Sequence, residues 1–167
     1  MTQWLCAQVG QIATEDIQLH FIAADHNLDI ARREAVIGLR NHRPQDIGLA
    51  GRKVGQVHFA GYACAPDLPW IKVSGQTPSA KWLADQPGRL SVSAPRNALD
   101  LARAGQGTAL LPTFIGDDTS LTKITDIAEL THDQWLVCHD TARFQPQVRR
   151  VINNLTTALT KLHRAAP

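Results

Sequence analysis

Apolar residues recur along the chain with two periods, and the alternation between those periods sets out the expected elements. Residues Trp4 to Ala13 are mildly apolar and read as the end of a helix; Ile17, Leu19 and Phe21 then alternate with polar neighbours as in a half-buried strand. Asp25 and Asn27 are placed to cap a short helix from Leu28 to Arg33, and the apolar run Ala35 to Leu39 predicts the next strand. After turn residues at Asn41 to Pro44 and Gly48 to Gly51, the positions Val54, Val57, Phe59 and Tyr62 predict a long extended segment broken near Gly61. Four prolines, Pro66, Pro69, Pro78 and Pro87, punctuate the next stretch and leave room for a strand at Ile71 to Val73 and a helix from Ser79 to Asp85.

Leu90, Val92 and Ala94 predict a strand, Pro95 to Ala104 a helix closed by Gly105, and Thr108 to Leu111 another strand. Such a strand-helix-strand unit in one sheet implies a parallel pair with a right-handed crossover. Trp135 to Cys138 predicts a further strand. The last segment spaces Val148, Val151, Ile152, Leu155, Leu159 and Leu162 by threes and fours, with Arg149, Arg150, Lys161 and Arg164 on other faces, which is a long amphipathic helix. Strands alternating with helices predict an α/β fold with mainly parallel sheets.

Composition narrows the class. With 167 residues, 44% hydrophobic and 19% charged, the chain can bury a core and lies outside the disordered and fibrous ranges. A net charge of +2, with Lys and Arg scattered, lacks the electrostatic footprint of a nucleic-acid binder. The longest apolar runs, such as Phe21 to Ala24 and Thr108 to Pro112, are far shorter than the roughly 20 residues of a membrane span. Met1 to Gly10 has none of the parts of a secretory signal, and the odd set Cys6, Cys64 and Cys138 suits reduced thiols, so the expected location is the cytoplasm.

Signatures of catalysis are missing. His20, His26, His42, His58, His132, His139 and His163 show neither the i, i+4 pairing nor the Cys clustering of metal ligands. Gly105-Gln106-Gly107 ends a helix instead of opening one, and Leu110 stands where a dinucleotide loop needs its third glycine. There is no Gly-x-Ser-x-Gly elbow and no phosphate loop. No cofactor, no metal and no enzymatic activity is expected, although a Ser, His and Asp assembled by folding alone stays open.

Open α/β sheets bind ligands beyond the C-terminal ends of their parallel strands. Three such ends carry polar residues: Arg40, Asn41 and His42; Ser93, Arg96 and Asn97; and Thr113 with Phe114. The second group opens a helix, where free backbone N–H groups and the dipole favour an anion and Arg96 adds a charged donor. The plainer alternative is that Ser93 or Asn97 caps its helix and Arg40 is a solvated surface charge.

Four blocks resemble one family. Arg52-Lys53-Val54-Gly55 through Tyr62-Ala63-Cys64-Ala65 resembles the crossing strand of the effector-binding domain in LysR-type transcriptional regulators. Leu28 to Ala35 followed by Ile37-Gly38-Leu39-Arg40 is similar to that family's short helix and third strand. Asn97-Ala98-Leu99 through Gly105-Gln106-Gly107-Thr108-Ala109-Leu110-Leu111-Pro112 resembles its most recognisable stretch, and Trp135-Leu136-Val137-Cys138-His139 with Arg143, Pro146, Val148 and Arg149 its last strand and helix.

The resemblance implies two lobes of the periplasmic-binding-protein type joined by two crossing strands, near Val57 to Cys64 and Trp135 to His139. Residues 1–60 with 138–167 would form the first lobe and 61–137 the second, with a small anionic effector, such as a carboxylate, held between them by the strand-end residues named above. It also implies that Met1 falls inside the first helix of the effector domain. The first strand, the winged helix-turn-helix and the linker helix would then be absent, and DNA would be reached only through that absent helix-turn-helix. Expected partners are a second copy or a full-length regulator, and no membrane. Two other readings are an interaction protein that pairs with full-length relatives and blocks them, and a solute-binding protein or small enzyme on the same fold.

Overall fold

The computed structural model describes residues 1–14, 16–22, 30, 35–117 and 119–165. In chain order the elements are α1 (Thr2–Ala7), α2 (Val9–Ile12), β1 (Ile37–Arg40), β2 (Leu49–Val57), β3 (Phe59–Ala63), β4 (Ile71–Val73), α3 (Pro78–Ala84), β5 (Leu90–Val92), α4 (Pro95–Arg103), β6 (Ala109–Pro112), α5 (Thr113–Gly116), β7 (Thr122–Asp126), β8 (His132–His139) and α6 (Pro146–Ala165), with single 3-10 turns at Ala128–Leu130 and Ala142–Phe144. The chain forms two compact α/β units, Met1–Gln56 with His132–Pro167, and Val57–Thr131.

The first unit is a three-stranded sheet in the order β1-β8-β2, backed by α6. The four-residue spacing of Val151, Leu155 and Leu159 puts all three on one face of α6, where they are buried with Ile12, Val54 and Leu136. The N-terminal segment is tied to the same helix: Asn154 donates to the Ile12 carbonyl at 3.1 Å, and the Arg150 guanidinium meets Asp16 at 3.1 Å and Thr14 at 3.0 Å. Ile17 and Leu19 pack against this core without forming a strand, so the strand expected at Ile17 to Phe21 is absent. The helix expected at Leu28 to Arg33 lies outside the described residues except for Ile30.

The second unit has a core on each side of its strands. Ala60, Tyr62, Ile71, Ala109 and Leu111 meet Ala98, Leu99 and Ala102 of α4 on one side, while Leu110 turns to the other and joins Leu83, Ile127 and Leu130. That alternation along β6 is the period-two pattern of a strand with both faces covered. Local signals set the helix ends. Thr77 caps α3 by accepting from the Ala80 amide at 3.2 Å, with Pro78 at the first helical position. Gly105 ends α4 with φ +72, and the Gln106 amide reaches back to the Leu101 carbonyl at 3.0 Å.

The expectation of mainly parallel sheets is overturned. β1 runs antiparallel to β8, and β3 runs antiparallel to both β6 and β7. Among the described residues only β4 with β5, and the single bridge between Trp70 and Thr108, pair in parallel. The strand-helix-strand argument fails at one step: β5 and β6 flank β4 instead of pairing with each other. β3 and β8 meet partners from far along the chain, so no crossover helix dictates their direction.

Two details also differ. The extended segment is interrupted at His58, and Gly61 marks a register shift against β7. Gly61 is needed because a side chain there would meet the Trp70 ring at 2.6 Å. β7 was not expected at all; all five of its residues are exposed, so it carries no apolar alternation.

Candidate functional site

In the second unit, β4 and β5 are in register from Ile71–Leu90 to Val73–Val92, so Ser74 and Ser93 leave the sheet at the same end. The parallel bridge from Trp70 to Thr108 aligns β6 with them, which brings Thr113 to that end as well. The Ser74 amide donates to the Val92 carbonyl at 2.8 Å, and the Ser74 and Ser91 hydroxyls lie 3.2 Å apart. Ser93, Arg96, Asn97, Thr113 and Phe114 therefore share one rim of the second unit. Ser74 belongs to this rim and was missed; its signal was the same as that of Ser93, a polar residue directly after a strand.

The first turn of α4 has no side-chain cap. Ala94 occupies the N-cap position, and neither Ser93 nor Asn97 supplies a capping hydrogen bond. No acidic residue lies in that turn, which leaves the positive end of the helix dipole uncompensated there. Arg96 lies along the helix with its Nε 3.3 Å from Asp100, both side chains about half exposed. Exposed i, i+4 pairs of this type hold weakly, so the guanidinium can exchange Asp100 for another anion.

Thr113 differs from the rest of the rim because it is only 2% exposed. Its amide donates to the His58 carbonyl at 2.9 Å, yet its hydroxyl has no hydrogen-bond partner among the described residues. A buried hydroxyl left unpaired costs about 1–3 kcal/mol. Phe114 follows it in α5, a single turn begun where β6 ends.

Arg40, Asn41 and His42 lie in the first unit, where they end β1 and begin an exposed turn. Arg40 is the most enclosed of the three, with 11% side-chain exposure and an ion pair to Asp46 at 3.3 Å. Among the described residues, no group of three or more His, Cys, Asp or Glu side chains is placed to hold a metal ion. No helix of the described residues is long and apolar enough to cross a membrane.

No family model matches the chain. It is 26% identical over 156 residues to the Mau operon transcriptional activator of Paracoccus denitrificans, an alignment covering 85% of this chain and 55% of that protein. The chain thus spans about half the length of this curated relative. Among solved structures, the regulatory domain of CrgA, a LysR-type transcriptional regulator from Neisseria meningitidis, superposes with a TM-score of 0.70 at 16% identity, covering 100% of this chain and 92% of that one. The effector domain of the regulator AmpR of Pseudomonas aeruginosa gives 0.68 at 16% identity, covering 98% and 91%.

Proposed function

We propose that this chain, which has the two-lobed fold of LysR-type regulatory domains, is the effector-sensing part of such a regulator and binds a small anionic metabolite through the strand-end rim of its second unit. The observation that carries this reading is the buried, unpartnered Thr113 hydroxyl, set on the same rim as the uncapped α4 terminus and Arg96. A ligand oxygen accepting from Thr113 offsets a cost that the fold otherwise bears, and a carboxylate suits the helix terminus and the guanidinium.

The chain acts by binding, not turnover. Effector binding shifts the population between two states, which requires different affinities for them. The shift is passed on through a dimer, formed with a second copy or with a full-length regulator, and DNA is contacted by a separate segment. The operon activator named above supports this division of labour, since the chain matches only part of it.

Thermal unfolding with a panel of carboxylates, amino acids and aromatic acids tests the reading, because a ligand of the native state raises the midpoint. Thr113→Val is the decisive variant. It should leave the unliganded melt equal or higher, by removing an unsatisfied group, and weaken the best anion about tenfold. Arg96→Ala should weaken it similarly. A panel without any shift, or a Thr113→Val chain that binds as before, sinks the proposal.

A further inference from the structure

We propose that the first unit carries a second, separate binding site, for a small aromatic dicarboxylate, in the cleft where β2, β8 and the beginning of α6 meet. The cleft holds about 560 Å3, within the roughly 300–1,000 Å3 of small-molecule sites. Leu136 and Ile152 give it an apolar lining. Cys138 lines it too; burial pushes its thiol up, Arg143 pulls it down and Asp140 pushes it up, and the net direction is upward.

Three arginines from three different elements line this cleft: Arg52 from β2, Arg143 from the 3-10 turn, and Arg149 from α6. Among the described residues no Asp or Glu lines it. Among the described residues none of the three forms an ion pair, whereas Arg40, Arg96, Arg103 and Arg150 each do. The cleft lies at the start of α6, a 20-residue helix with no acidic residue in its first turn, where the helix presents its positive end. An anion there offsets the unfavourable placement of Arg149 near that end.

The apolar side of the ligand follows from Phe144. Its side chain is 71% exposed at the cleft, and the Arg143 guanidinium lies 4.8 Å from the ring centroid. An exposed ring beside stacked and unpaired guanidinium groups, with an aliphatic lining, fits a flat apolar body carrying more than one negative charge. Inorganic anions use the charges but not the lining, and neutral aromatics the reverse.

Calorimetric titration of phthalate into the intact chain tests this, with sulfate and benzyl alcohol as comparisons. Saturable phthalate binding is expected, tighter than sulfate, with none for benzyl alcohol. Arg52→Gln with Arg149→Gln should weaken phthalate at least about tenfold, the loss expected on removing hydrogen bonds to a charged group. Arg143→Ala should weaken it less. All three residues are exposed and none forms an ion pair among the described residues, so the variants should melt at or slightly above the parent; if the double variant does not fold, the single Arg52→Gln and Arg143→Ala chains give the same reading. Arg96→Ala and Thr113→Val report on the second unit's rim and should leave this binding unchanged. Absence of saturable phthalate binding, binding lost only with Arg96→Ala, or sulfate equal to phthalate would each overturn the cleft as a dicarboxylate site, whatever becomes of the rim.

Discussion

The two units solve the same packing problem to different degrees. In the second, strands β3, β4 and β6 are covered on both faces, and small residues allow close approach: Ala60, Ala63, Ala98, Ala102 and Ala109 are all fully buried. In the first, one long helix covers the sheet, and much of the surrounding apolar surface is only partly buried, including Trp4, Leu5, Ile17, Leu19 and every residue of β1. The second unit is held by continuous helix-sheet packing of elements close in sequence. The first depends on chain ends meeting: residues 1–19 against α6, more than a hundred positions away. Local unfolding free energies follow such differences in burial, so the first unit should open more readily.

The comparison breaks most directly at the cores. Ile71→Ala, at a fully buried position between β5 and the start of β6, should cost about 4 kcal/mol, from lost transfer free energy plus a cavity that tightly packed neighbours cannot fill. Next comes Gly116→Ala. A side chain at Gly116 would meet the Tyr62 ring at 2.1 Å, and Tyr62 is itself held by a 2.5 Å hydrogen bond to Asp117; overpacking there should cost about 2–3 kcal/mol. Ile37→Ala on half-buried β1 should cost only about 1 kcal/mol, since the site already sees solvent. Chemical denaturation gives the three values. If Ile37→Ala equals Ile71→Ala, the first unit is as tightly specified as the second and the contrast fails.

Legibility in the sequence followed the same divide. The order β4, α3, β5, α4, β6 was readable because Thr77-Pro78, Pro95 and Gly105 punctuate it and each element buries a periodic face. The helix α6 was readable from its leucines and valines. Pairing direction was not, because periodicity tells which face of a strand is buried but nothing about its neighbour's polarity. β7 left no trace for want of apolar residues. At the candidate rim, strand ends could be named from the sequence, but that Thr113 alone is buried and unpartnered depends on packing around His58 and α5. The arginine cleft was invisible for a similar reason: Arg52 stands far from Arg143 and Arg149 in sequence, and only β2 lying beside β8 brings them to one cavity.

The smallest expected effect concerns acid. Three carboxylates, Asp16 and Glu129 exposed and Asp133 partly so, sit below their ordinary range: Asp16, held by the Thr14 hydroxyl and by Arg150; Asp133, held by Lys53 at 2.6 Å and by Gln56; and Glu129, held by its own backbone amide and by the Trp82 indole. A carboxyl depressed in the folded state binds fewer protons than in the unfolded chain, so its contribution is present above the ordinary value, 3.8 for Asp133, and is lost as pH falls through the folded value. Two of the three belong to the first unit, and both fasten segments to its framework, one at the N-terminal stretch and one between β2 and β8. Hydrogen exchange compared at about pH 6 and about pH 3.5 should therefore show β8 losing protection more than β3. Asp133→Asn should flatten that acid response in β8 and leave β3 unchanged. Because these pairs face solvent, salt should shrink the difference further. An equal loss in both strands would mean that acid acts on the whole chain through net charge, and that the two units share one cooperative transition.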